Sequence, residues 1–157
     1  MKKTIFLPVL FMLLFAAGHG YIMRGRAEAE NAGKEAKSGM YLRITAEGRT
    51  LIARLNESAA SRAFWSRLPL TLPMTNLYGR QMCFHFGYGG LPFGGSKKQG
   101  YKAGDISYWP PRGSLIILYK QTGALFDHLT LGHITGDVSF FDGVEDTDVT
   151  FEKADET

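Results

Sequence analysis

The residues with chemistry to offer are concentrated in one stretch, MCFHFGYGGLPFGGSKK, from Met82 to Lys98. It holds the only cysteine, Cys83, together with His85, four aromatic residues and five glycines. Three chemistries fit such a composition, and each makes a spacing demand. A phosphate cradle needs G-x-x-x-x-G-K-[ST] and backbone N–H groups turned inward. Gly90 and Gly95 have the spacing, but Ser96 and Lys97 stand in the reverse order and Pro92 has no N–H to present. A zinc site needs three or four convergent ligands. Cys83 and His85, two apart, share a strand face, whereas His128 and His133, five apart, face opposite ways on a regular strand. The acidic segment DGVEDTD lacks the calcium-loop pattern. A hydrolase nucleophile needs a base beside it. There is no G-x-S-x-G elbow, and Asp127 and His128 are strand neighbours that diverge. The expectation is therefore no catalytic residue, no metal and no cofactor.

Recognition remains. Phe84, Phe86, Tyr88, Phe93, Tyr108 and Trp109 exceed what a small core needs, and ligand pockets are commonly aromatic with a few polar groups. The expected ligand-binding residues are Phe84, His85, Phe86, Phe93, Trp109 and Arg112. Tyr88 and Phe93, in the glycine-rich segment, are expected to be exposed. Cys83 reads as a small buried apolar residue rather than a reactive thiol, and a redox-responsive protein would be the class that used it.

The elements that must position these residues are mostly strands. Leu42, Ile44 and Ala46 alternate with polar neighbours, Glu47-Gly48 supplies a two-residue turn, and Leu51, Ala53 and Leu55 line the returning strand. NESAASRAFWSRLP predicts one short helix capped by Asn56, with Ala60, Ala63, Phe64 and Leu68 on one face and Pro69 as its stop. LTLPMTNLYG, RQMCFHF, GDISYWPP, GSLIILYKQ, DHLTLGHITGD and DVTFEK read as further strands, with a turn at Pro110–Gly113 and a helical turn or loop at VSFFDG. The apolar run Leu115–Tyr119 predicts a well-buried strand. Many short strands with one or two short helices make the chain mainly β, a small closed barrel.

The chain has 157 residues. Lys2 and Lys3 precede an uncharged apolar run, Thr4–Gly18, shorter than the roughly 20 residues that span a bilayer. Residues 1–26 are expected to be a signal peptide, or an N-terminal anchor if uncleaved, and 27–39 a flexible linker. Residues 40–157 form the domain. The expected location is exported, periplasmic or extracellular, with membrane contact through the N-terminal segment alone. Residues 40–157 carry twelve basic and twelve acidic side chains, so the basic balance of the whole chain belongs to the leader and linker and gives no support to nucleic-acid binding. Within the domain, 40–126 has eleven basic and three acidic residues, and 127–157 has one basic and nine acidic. The expectation is that the two regions neutralise each other in the fold.

NLYGRQMCFHF, LPFGG, GYKAGDISYWPPRGSLIILYKQ and LGHIT, in that order and spacing, resemble the bacterial cyclophilin-like fold proteins over roughly Met40–Lys153. That family usually has arginine where this chain has His133. The resemblance implies a closed barrel of cyclophilin topology and no established activity. Fold alone does not imply prolyl isomerisation. Twisting an X-Pro bond needs an apolar pocket and a cationic donor that weakens amide resonance. True cyclophilins carry Phe-His-Arg in a strand. The look-alike here is Phe84-His85-Phe86, so Arg80 or Arg112 would have to supply the cation through space, and Arg112, in a turn, reads first as a surface charge. The leading expectation is an exported, non-catalytic module for an extended peptide or small ligand. The alternative is a peptidyl-prolyl isomerase with a non-standard site.

Overall fold

A computed structural model describes residues 39–156. The expected leader and all but the last residue of the linker lie outside the described residues. Gly39–Thr157 is one compact unit.

Nine strands run in the order β1 Tyr41–Ala46, β2 Arg49–Leu55, β3 Leu70–Leu77, β4 Gln81–His85, β5 Lys97–Gln99, β6 Asp105–Trp109, β7 Ser114–Leu118, β8 Phe126–Thr135 and β9 Thr147–Ala154. Eight of them pair as β2-β1-β9-β3-β4-β7-β6-β8, and β8 returns to β2, which closes an antiparallel barrel. Closure removes the unpaired strand edges that an open sheet presents. Short β5 flanks β8 outside this ring. It was not foreseen, because Lys97-Lys98-Gln99 has no apolar alternation.

The barrel interior follows the period of two. Leu42, Ile44 and Ala46 of β1, Met82 of β4, Ile106 and Tyr108 of β6, Leu115 and Ile117 of β7, and Val149 and Phe151 of β9 belong to one buried core. Helix α1, Ala59–Ser66, adds Ala60 and Phe64, and the Phe64 ring meets Phe151 edge-on at 5.4 Å. Its N-cap is Ser58, not Asn56: Ser58 Oγ accepts from the Ser61 N–H at 3.1 Å. Asn56 instead accepts from the Ser58 N–H (3.0 Å) and the Ser61 hydroxyl (2.7 Å), and so holds the cap in place from outside the helix.

Two further features escape the linear pattern. The β6–β8 register slips between Ile106 and Ser107, so Leu131 is left without a partner. This bulge shifts the alternation of β8 by one. His128 and His133 therefore both face outward, against the regular-strand expectation, but at different places: His128 stacks on Phe126 (4.3 Å), and His133 Nδ1 lies 2.9 Å from Asp105 Oδ1. The second feature is β7: the expected well-buried strand is buried on both faces, because a second apolar cluster lies outside the barrel. Its inward residues join the main core. Ile116 and Leu118 face outward into a smaller cluster with Cys83 and Tyr101, flanked by Leu77, Trp109, Ala124 and Phe126.

Candidate functional site

That outer cluster is incompletely covered, and a concavity of about 250 Å³ opens against it. Strand pairing builds its floor. On β4, Gln81, Cys83 and His85 face outward by alternation. Across the ladder Cys83 stands opposite Ile116 and His85 opposite Ser114, and on β6 Trp109 pairs with Ser114 from the other side. The walls come from connections. Leu77, Tyr78 and Arg80 belong to the β3–β4 hairpin, Arg112 to the 3₁₀ turn Pro110–Arg112 between β6 and β7, and Phe126 to the start of β8.

His85, Ser114 and Arg80 are held by contacts within the protein. His85 Nδ1 is 2.6 Å from the buried Ser114 Oγ, and Cys83 Sγ is 3.9 Å from the same ring nitrogen. Burial pushes the Cys83 thiol above its ordinary value, opposed in part by the Ser114 hydroxyl and the Arg112 charge. The Arg80 guanidinium lies 5.5 Å from the Tyr78 ring centroid and 5.9 Å from that of Phe126. Its backbone is anchored too, since the Arg80 carbonyl accepts from the N–H groups of Tyr119 (3.0 Å) and Lys120 (3.3 Å).

The six residues expected from the sequence separate into groups. His85, Trp109 and Arg112 meet in this pocket. Phe84 and Phe86 do not join them. Phe84 has the opposite parity on β4 and packs on the main core, with Phe86 edge-on to it at 5.1 Å and the Arg67 guanidinium over Phe86 at 5.5 Å. Phe93 is 40% exposed and Tyr88 83% exposed, both in the glycine-rich connection, and neither lines the pocket. Arg112 is exposed, as expected of a surface charge, and it also lines the pocket. Sequence reasoning did not assign Gln81, Ser114, Ile116 or Phe126 to a site, and named Arg80 only as a cation for the isomerase alternative. The alternation of β4 carried part of the signal, but the pairing register with β7 is not visible in either strand alone.

The glycine-rich segment is a docked connection with no helix start after it. The Leu91 N–H donates to the buried Tyr108 hydroxyl at 3.1 Å, and the Phe86 N–H donates to the Gly113 carbonyl at 2.9 Å. Among the described residues no three His, Cys, Asp or Glu side chains converge as metal ligands.

The cyclophilin-like family model matches residues 44–152, the greater part of the chain. The chain belongs to the cyclophilin-like family. A cyclophilin-like barrel also accounts for its likeness to the solution structure of a hypothetical protein from Archaeoglobus fulgidus. The TM-score is 0.57 and the identity 22%, over 74% of this chain and 95% of the other. At that identity the likeness speaks to the fold alone. No functionally curated protein matches this cyclophilin-like chain.

Proposed function

We propose that this cyclophilin-like domain is an exported, non-catalytic binding module for a small ligand or one side chain of an extended peptide. Its site is the outer-face pocket rather than the barrel interior. The observation that carries the reading is the pocket's composition. Apolar Leu77, Ile116, Trp109 and Phe126 adjoin Gln81, His85 and Ser114, and the polar groups stand on paired strands. Ligand sites combine an apolar lining with a few fixed polar groups in this way. Export rests on Lys2, Lys3 and the apolar run that follows them. A fragment and peptide screen read by amide and indole NMR shifts tests the site. Binding should move Trp109, Ile116 and His85 together, and Ile116→Arg should abolish it. Binders that shift only residues elsewhere would refute the assignment.

A second reading is prolyl isomerisation, favoured by the presence of Arg80 and Arg112 at an apolar pocket, where a cation would withdraw density from the prolyl nitrogen. A protease-coupled assay on X-Pro peptides decides between the two. The binding-module reading expects the uncatalysed rate. Acceleration that disappears in Arg80→Met or Arg112→Met would replace it with an enzyme.

A further inference from the structure

The outer-face pocket is cationic and supplies no counter-ion of its own. Arg80 and Arg112 reach it from two different hairpins, and no acidic side chain lines it. Among the described residues the ion pairs are Lys120–Asp142 and His133–Asp105, and neither pocket arginine takes part in one. Arg80 is also held in place, between its anchored carbonyl and the rings of Tyr78 and Phe126. Its Nε is buried and has no hydrogen-bond partner. A buried donor left unused costs free energy unless something else satisfies it. Two arginine side chains lining one concavity are suited to a carboxylate, whose two oxygens match the planar donor fork. The floor of Ile116, Trp109 and Phe126 is suited to an apolar body, and a highly hydrated multiply charged anion would lose hydration against it.

We infer that the pocket binds a carboxylate carried on a compact apolar body, the carboxylate held between Arg80 and Arg112 and the body lying against Trp109, Ile116 and Phe126. The inference rests on the binding reading above and specifies its ligand. Two sources share this chemistry, a free aryl or branched-alkyl acid and the C-terminal carboxylate of a peptide with an apolar last residue.

The full-length protein is titrated with 3-phenylpropanoate, 3-phenylpropanamide, the tripeptide Gly-Gly-Phe with a free and with an amidated C-terminus, and inorganic phosphate. Calorimetry and the Trp109 indole resonance report binding. At least one carboxylate should bind about tenfold or more tightly than its own amide, as charge-assisted bidentate bonds require, and weaken as salt is raised. The tighter of the two carboxylates names the source. Arg112→Met, in an exposed turn, should erase the acid–amide difference with the melting temperature unchanged. Arg80→Met should do the same, and Arg80→Lys should restore part of it. Equal binding of acids and amides, or a response to phosphate alone, would overturn the carboxylate inference and leave a pocket for other ligands. Silence of the pocket resonances toward these probes and toward neutral fragments would overturn both readings.

Discussion

A methyl group placed on Gly113 would overlap the carbonyl oxygen of Gly87. Gly113 sits at φ 60°, in the left-handed region, directly after the 3₁₀ turn that carries Arg112. The close approach docks the glycine-rich connection onto the β6–β7 turn, and the hydrogen bond from Phe86 N–H to Gly113 O seals the same junction. Gly113→Ala therefore meets backbone strain and a backbone clash together. It should destabilise by about 3 kcal/mol or more. Gly123, at φ 74° with open space around it, is the matched control. Gly123→Ala should cost about 1 kcal/mol, the strain alone. Urea unfolding of the two variants makes the comparison, and equal losses would contradict the docking account.

Asn76 joins three parts of the chain. Its Nδ2 donates to the carbonyls of Phe141 (3.0 Å) and Val144 (2.6 Å), and its Oδ1 accepts from the Tyr119 hydroxyl at 2.7 Å. Truncation strands two carbonyls and a phenol in a part-buried setting. Asn76→Ala should lose about 2–4 kcal/mol by denaturant unfolding. Thr71→Ala, which removes an exposed hydroxyl pair with Thr150, should lose less than about 1 kcal/mol.

Cys83 is 4% exposed, and its thiol is held above the ordinary value chiefly by burial. Disulfide-exchange reagents should modify it about tenfold or more slowly in the native protein than in urea, since the thiolate is the nucleophile. The folded chain keeps a proton that the unfolded chain sheds. Its stabilising contribution is thus complete below the unfolded thiol's pKa and is lost as pH rises toward the folded one. Wild-type protein should lose more stability than Cys83→Ala between about pH 8 and about pH 10. Rapid native labelling would revive a redox role.

His133 Nδ1 meets Asp105 Oδ1 at 2.9 Å. The ring is half exposed, so the pair is worth little. His133→Arg should keep the contact and change stability by less than about 1 kcal/mol. A Cβ on Gly104 would instead press on this ring and on the Ile134 carbonyl at 3.0 Å, with φ at 96°. Gly104→Ala should cost about 2 kcal/mol or more. Thermal melts of both variants provide the check.

The sequence by itself marked the eight strands of the ring and pointed to a barrel, because inward and outward residues alternate along most of those segments and glycine marks the tight turns. Leu42-Ile44-Ala46 and Met82-Phe84 were legible for that reason, and the continuous apolar run of β7 marked a well-buried strand. Local chemistry was less so. Asn56 and Ser58 are both good caps, and only the position of Ser61 over Leu131 separates their roles; the Ser61 hydroxyl reaches the Leu131 carbonyl at 3.0 Å. The bulge at Leu131 is likewise decided by packing across β6, because one extra residue leaves no mark on composition. The pocket is a tertiary property throughout. Its residues lie far apart in the chain, from Leu77 to Phe126, and strand register alone sets His85 beside Ser114 and Cys83 beside Ile116. A sequence records which residues share one strand's face. Which residues face each other across strands depends on register and closure, and these are set by the packing of the whole core.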